Sequence, residues 1–374
     1  MAGGAPAPAQ GANGTGDPLR FLGQVLMLAV RHKASDIHLR ARNHPILRVD
    51  GVLRAVREIP SFAPDMLERI ARTMMSPRHA AEFEKSRQVD LSFGFKDIGR
   101  VRVNIFQQRG SVGMVLRVIS TEIPRPPELK LPDIVSGFIK EERGLVLVTG
   151  ATGSGKSTTL ASLVNEINLS QTRHIITIED PIEFLFTERR SIITQREVGM
   201  DTNTFADAMR AAMREDPDVV LLGEMRDPET IETALTAAET GHLVFSTMHA
   251  PAVAEAIPRI ITAFPPEAQA SIRGKLAQNI HGVVAQRLIP HKSGQSRIVA
   301  CEVLTASALA RELILDPLKV KDLADLIKKG TLSEGMLSFD AALFDLYKQG
   351  AIDDEIALQH ATSPTDLKLK LDGF

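Results

Sequence analysis

GATGSGKS, residues 150–157, places Gly150 and Gly155 five positions apart ahead of Lys156 and Ser157, the spacing of a phosphate-binding loop. An apolar run at 145–149 reads as a buried strand, and 156–167 has helical spacing. The glycines therefore fall at a strand-to-helix turn. Small residues there let the backbone curl around phosphate oxygens with its N–H groups inward, and the start of the helix adds partial positive charge. Gly150, Ala151, Thr152, Gly153, Ser154, Gly155, Lys156, Ser157 and Thr158 are expected to cradle a nucleoside triphosphate. Lys156 would neutralise β/γ-phosphate charge, and the Ser157 hydroxyl would ligate magnesium. The alternative, a glycine-rich turn with an accidental Lys-Ser, does not explain the flanking strand and helix.

At 374 residues the chain exceeds one typical domain. Hydrophobic content of 44% and charged content of 24% are ordinary for globular proteins. A formal charge of -2 makes neither nucleic acid nor an anionic membrane an obligatory partner. The single cysteine, Cys301, excludes an internal disulfide and any cysteine-based zinc cage, reads as a small buried hydrophobe, and fits a reducing cytoplasm. Residues 1–18 have neither the charge nor the apolar core of a signal peptide and are expected to be disordered. The apolar stretch 21–30 is too short for a membrane span, so a soluble protein is expected.

Read in order, 19–33 is a helix whose start Asp17 and Pro18 mark. Strands follow at 36–40, 46–49 and 52–56, the last two around an Asp50-Gly51 hairpin. Helices at 64–75 and 77–86 and strands at 89–95, 100–107 and 111–119 complete an α+β domain over 19–120. Residues 121–132, with Pro124, Pro126, Pro127 and Pro132, suit an extended, stiff linker. Beyond it, strands at 145–149, 174–178, 218–222 and 242–246 alternate with helices at 156–167, 204–215 and 228–240. This predicts an α/β domain over 133–304 with a largely parallel sheet whose loops gather at one edge. Residues 305–374 read as a third, all-helical region.

Acidic and histidine clusters follow the phosphate loop. Glu179-Asp180-Pro181-Ile182-Glu183 closes a buried strand, although a solvated loop has a similar composition. VVLLGE, residues 219–224, has the hydrophobic run of a Walker B strand, with Gly223 where Asp usually stands and Glu224 next. Magnesium would rely on Ser157 and Glu224. His242 and His249 bracket LVFSTM and suggest phosphate sensing. Arg196, Arg210 and Arg214 fit a solvated helical face. Phosphoryl transfer needs cationic help beyond Lys156, commonly an arginine from a neighbouring subunit. Among Arg100, Arg102, Arg109 and Arg117, the expected suppliers are Arg102 and Arg109, on or just after a strand near the linker, with Arg117 close behind.

GATGSGKST, TIEDPIEF (177–184), the run from REDPDVVLLGEMRD to HLVFSTMHA (214–250), ASDIHLR (34–40) and LRVDGVL (47–53) together resemble the secretion ATPase superfamily, in its pilus-retraction (twitching motility) PilT/PilU branch. The resemblance runs from about residue 19 to 371. It implies a PAS-like N-terminal domain, a RecA-like ATPase domain and a helical C-terminal tail. It further implies a homo-oligomeric ring, typically hexameric, with ATP and Mg2+ between the two domains of a subunit. Carried over by position, the Walker A lysine is Lys156, the Asp-box catalytic glutamate Glu183, the Walker B glutamate Glu224 and the His-box pair His242 and His249. The tail departs from the retraction motors' AIRNLIRE-like helix, reading ALARELILDPLKVKDLADLIKKG at 308–330. SFDAALFDLYKQG and SPTDLKLKL are nearer the accessory branch, so both branches stay open. Implied partners are an inner-membrane pilus platform protein and a sister retraction ATPase, at the cytoplasmic face of the inner membrane.

Three functions compete. The first is an ATPase motor for pilus retraction, and the second a slow, ATP-holding scaffold subunit. The third, a nucleic-acid motor, is disfavoured by 4% aromatics, no tryptophan and one tyrosine, which leave few stacking platforms for bases.

Overall fold

The first helix, Pro18–Arg31, buries Leu22, Val25, Leu26 and Ala29, one stripe at helical spacing. In a computed structural model that describes residues 18–49, 51–95, 98–294 and 296–373, the chain forms two compact units, one ending at Ser120 and the other beginning at Thr121. The tail expected to be disordered, with Asp17, and Asp50 of the expected hairpin lie outside the described residues. Only Pro18 of that tail is described, and it opens the helix.

In the first unit, β1 (Asp36–Arg40), β2 (Ile46–Val49), β3 (Val52–Ala55), β4 (Gln88–Phe95), β5 (Gly99–Gln108) and β6 (Ser111–Val118) form one antiparallel sheet in the order β3-β2-β1-β6-β5-β4. Ile37, Leu39, Val101, Val103, Ile105, Met114 and Leu116 form its buried face, packed in one core with the helices Pro18–Arg31 and Pro64–Met74. The opposite face sets Arg102 directly across from Arg117. Like charges so placed repel; Asp36 offsets this, with Arg117 Nη2 2.6 Å from its Oδ1.

This hairpin corrects one expectation. Arg102 does lie near the end where β6 leaves the sheet, but Arg109 sits in the turn at the other end. Being close to β6 in sequence does not bring it near residue 119, because β6 runs back along the whole of β5.

The second unit is built on β7 (Gly144–Thr149), β8 (His174–Glu179), β9 (Ile192–Glu197), β10 (Val219–Leu222), β11 (Leu243–Met248), β12 (Ile280–Pro290), β13 (Arg297–Thr305) and β14 (Met336–Leu337). Their order is β14-β13-β12-β7-β11-β10-β8-β9. Neighbours from β12 to β9 are parallel, and β13 and β14 add antiparallel strands at one edge. Every residue of β7, β10 and β11 is buried, as strands covered on both faces require. Cys301 is buried in β13, where the apolar surroundings push its thiol pKa up to about 12.

Two expectations fail here. The stretch 121–132 is not extended throughout: residues 126–130 are turns, Leu131 N donates to Pro126 O at 3.2 Å, and Leu131 is buried in the core of the second unit. Arg125 pins it with two bonds to Glu166 of the helix Lys156–Ser170, Nη2 to Oε1 2.7 Å and Nε to Oε2 3.0 Å. Proline's fixed φ serves a turn as readily as an extended chain, and burial of Leu131 decides between them. Residues 305–374 do form a helical C-terminal region, but not an all-helical one, since Met336–Leu337 pair with Val303 and Leu304. Nor are they separate, because Phe339, Leu343, Leu346, Ala357 and Leu367 belong to the same core as β7. A two-residue strand carries no periodic signal of its own.

Candidate active site

Because β7, β8, β10 and β11 run parallel, the segments that follow them leave the sheet at one edge. There a cavity of about 260 Å³ is lined by Lys156 and Ser157 after β7, Glu179 and Glu183 at and after β8, Glu224 and Arg226 after β10, and His249 after β11. Lys156 and Ser157 open the helix Lys156–Ser170, so the partial positive charge of its first turn lies at the cavity.

The loop's shape depends on three glycines. Gly150 has φ 147°, Gly153 has φ 78° and Gly155 has φ 90°, regions that L side chains avoid. Lys156 is 9% exposed, and its Nζ donates to Gly150 O and Ala151 O, each at 3.0 Å. Burial pushes its pKa below the ordinary lysine value, while the carboxylates of Glu224 and Glu183 oppose that shift.

Glu224 is bracketed by two bases: Arg226 Nη2 lies 2.6 Å from Oε1, and His249 Nε2 lies 3.7 Å from Oε2. Thr247 Oγ1 donates to Gly223 O at 2.6 Å, tying the residue before Glu224 to β11, and the Arg259 side chain donates to His249 O. A Cβ at position 223 would come within 3.2 Å of Ile178 O and 3.4 Å of Glu179 Cα on β8. Close strand packing thus explains glycine where an aspartate was the usual expectation.

Glu179 is buried, and that burial pushes its pKa up to about 7. Thr177 Oγ1 donates to its Oε1 at 2.7 Å, Gln195 Nε2 to the same oxygen at 3.4 Å, and Glu183 N to Oε2 at 3.4 Å. The exposed Glu183 side chain is therefore presented by a loop whose backbone hangs on a buried carboxyl.

Residues 12–315 match the model of the type II/IV secretion system protein family. The chain belongs to that family. It is 40% identical to the type IV pilus ATPase PilU of Pseudomonas aeruginosa, over 93% of this chain and 90% of that one. It is also 40% identical to the type IV pilus retraction ATPase PilT of the same organism, over 91% and 98%. A crystal structure of the pilus retraction motor PilT with bound ADP superposes with a TM-score of 0.84 at 44% identity, covering 92% of this chain and 98% of that one. The Legionella pneumophila ATPase DotB gives 0.80 at 28% identity, covering 99% and 98%.

In this member of the secretion family, Lys156, Ser157, Glu183, Glu224 and His249 converge on one cavity, which Thr152 and Gly153 also line. Gly155 and Thr158 line a second cavity of about 340 Å³ on the loop's other flank, beside Leu131, Leu288 and Ile298. Ala151 and Ser154 face a third, with Arg287 and His360. His242 departs from expectation. It precedes β11, so the length of that strand separates it from His249. Its O accepts from Gly144 N at 2.9 Å, and its Nδ1 lies 3.0 Å from Ala237 O, a structural role at the far edge. Arg102 and Arg109 belong to the first unit. Arg210 pairs with Glu229 and Asp207, as solvated-face residues do, whereas Arg196 is not on a helix: it lies on β9, largely covered, and pairs with Glu215.

Three contributors were not singled out from sequence: Glu179 as a buried carboxyl, Arg226 in the cavity and Gln286 on β12. Arg226 follows Glu224 by two residues and was legible as a cation beside a Walker B carboxylate. Gln286 showed itself as a polar residue in the otherwise apolar run GVVAQ.

Proposed function

We propose that this chain is an ATP-hydrolysing motor subunit that powers type IV pilus retraction and, through it, twitching motility. The observation that carries the reading is the convergence of Lys156, Ser157, Glu183 and Glu224 on one cavity beside the phosphate loop, in a chain 44% identical to a solved pilus retraction motor. The reaction is ATP + water to ADP + phosphate. Lys156 exchanges its bonds to Gly150 O and Ala151 O for β/γ-phosphate oxygens. Glu183 accepts the proton of the attacking water, being exposed at the cavity. His249 contacts Glu224 and follows the state of the phosphate end. The second cavity, adjoining Gly155 and Thr158, leaves room for the ribose and base.

A magnesium ion fits the donor set. The Ser157 hydroxyl and Glu224 carboxylate are hard oxygen ligands lining the same cavity, while no cluster of three or more His, Cys, Asp or Glu for a metal occurs among the described residues. That pattern suits an ion that takes its remaining ligands from phosphate and water, and it would neutralise phosphate charge. Ser157 and Glu224 would hold it.

The subunits work as a homo-oligomeric ring, a hexamer, against a platform protein at the cytoplasmic face of the inner membrane. No helix among the described residues is long and apolar enough to cross a membrane. The test is deletion of the gene, complementation with wild type or Lys156→Ala, and imaging of surface pili. Excess pili that do not retract, rescued by wild type alone, is the expected result. Absent pili would assign the chain to assembly and overturn the reading.

A further inference from the structure

Gln286 lies on β12, 3% exposed, just past the residue that pairs with Thr149 at the end of β7. Its side chain makes two bonds to the phosphate-loop segment. Nε2 donates to Ser154 O at 2.8 Å, and Oε1 accepts from Thr159 Oγ1 at 2.9 Å. Thr159 is itself 1% exposed. The same residue meets both motif glycines: a Cβ on Gly150 would stand 2.5 Å from Gln286 O, and one on Gly155 would stand 2.8 Å from Gln286 Nε2. The β12 backbone therefore demands glycine at 150, and the Gln286 amide closely approaches Gly155.

We propose that Gln286 is a positioning residue for nucleotide binding, which orients the peptide between Ser154 and Gly155 so that the Gly155 N–H faces the phosphates. In a planar trans peptide the C=O and the following N–H point in opposite directions. Holding Ser154 O toward β12 therefore turns the Gly155 N–H away from β12. The amide serves both contacts at once, offering Nε2–H as the donor for Ser154 O and Oε1 as the acceptor for the Thr159 hydroxyl. Thr159, on the first turn of the helix, holds the other end of the Gln286 amide through its hydroxyl. Loop shape then does not depend on a ligand being present, which spares the nucleotide the cost of ordering it.

This proposal rests on the nucleotide reading above and goes beyond it. The experiment titrates wild type, Gln286→Leu and Thr159→Val with a fluorescent ADP analogue, and follows ATP hydrolysis and thermal melting in the same preparations. Gln286→Leu should weaken analogue binding and raise KM by about tenfold or more, the loss expected for a buried hydrogen-bonded group, with kcat within about threefold. That split marks an interaction made equally in ground and transition states. Thr159→Val should give a smaller loss, about threefold, and no further loss when added to Gln286→Leu. A lowered melting temperature with unchanged analogue affinity would show a merely structural role and overturn the proposal. If Gln286→Leu does not fold, unchanged affinity in Thr159→Val overturns it equally. Wild type that fails to bind the analogue would instead refute the nucleotide reading.

Discussion

Arg226 Nη2 lies 2.6 Å from Glu224 Oε1, and both side chains line the cavity of their own subunit. The cavity thus holds a second cation of the same chain beside Lys156. Glu224 is only 13% exposed, so its carboxylate needs a partner before the nucleotide arrives, and Arg226 supplies it. A magnesium ion held by Glu224 would compete with Arg226 for that carboxylate, and phosphate oxygens would compete with the carboxylate for the guanidinium, which could then follow the phosphate charge. Arg226→Ala is expected to cut kcat by about a hundredfold while ATP binds within about threefold, the profile of an electrostatic contact made mainly in the transition state. Steady-state kinetics beside equilibrium binding decides it; an unchanged kcat contradicts the assignment.

Whether Arg102 acts across an interface is a separate question, answered by mixing inactive proteins. Lys156→Ala combined with Arg102→Ala should recover activity, because some mixed interfaces regain an intact site, whereas Lys156→Ala with Arg226→Ala should recover none. A neighbour's arginine can raise turnover by roughly 10³ to 10⁵, so recovery is measurable even when few interfaces are intact. No recovery in the first mixture, with subunit exchange demonstrated by tag pull-down, removes Arg102 from the site.

Glu183 and Glu224 are expected to separate by their metal dependence. Glu183→Gln keeps the shape but cannot accept a proton, so it should bind ATP with magnesium normally and hydrolyse it at least about a hundredfold more slowly. Glu224→Gln should also shift the magnesium titration to higher concentration, since a ligand charge is lost. Identical titrations and identical rate losses would contradict this division.

Glu179 makes stability depend on pH. Its pKa, about 7 in the folded protein against 4.5 as the reference value, means the folded state holds the proton more tightly than the unfolded state does. That contribution is complete below pH 4.5 and is lost as pH rises through about 7. Between pH 5 and pH 8 the wild type should therefore lose stability relative to Glu179→Gln, by on the order of 1–3 kcal/mol. Parallel urea unfolding at the two pH values measures it, and an unchanged difference argues against a protonated Glu179.

The strands through β11 except β9, most of the helices between them, and the site residues that follow β8 and β10 were legible because each rests on a local signal. The phosphate loop has its glycines, β7 its unbroken apolar run, and Glu224 its place after a buried strand. What was not legible depends on which strands become neighbours. His242 and His249 flank one strand and look paired in sequence, yet a strand's two ends lie at opposite edges of a sheet. Arg109 looked close to the linker because a hairpin's fold-back carries no signal along the chain. The buried Glu179 was hidden among exposed carboxylates, and only the packing of β8 against Thr177 and Gln195 distinguishes it. β9 escaped because its half-buried TQRE segment lacks an apolar run, and β12 and β13 were not assigned either.

The central strand β7 is flanked by β11 on one side and β12 on the other. Since β12 begins only at Ile280, a ribosome delivers the phosphate loop long before the strand that braces it. During that interval β7 has an open edge made of unbroken apolar residues, a template for pairing with other chains. The first unit, by contrast, is complete by Ser120. Nascent chains arrested between residues 150 and 280 should therefore carry a folded N-terminal unit beside an unfinished, chaperone-dependent second one, and nucleotide binding should appear late in synthesis, after β12 emerges.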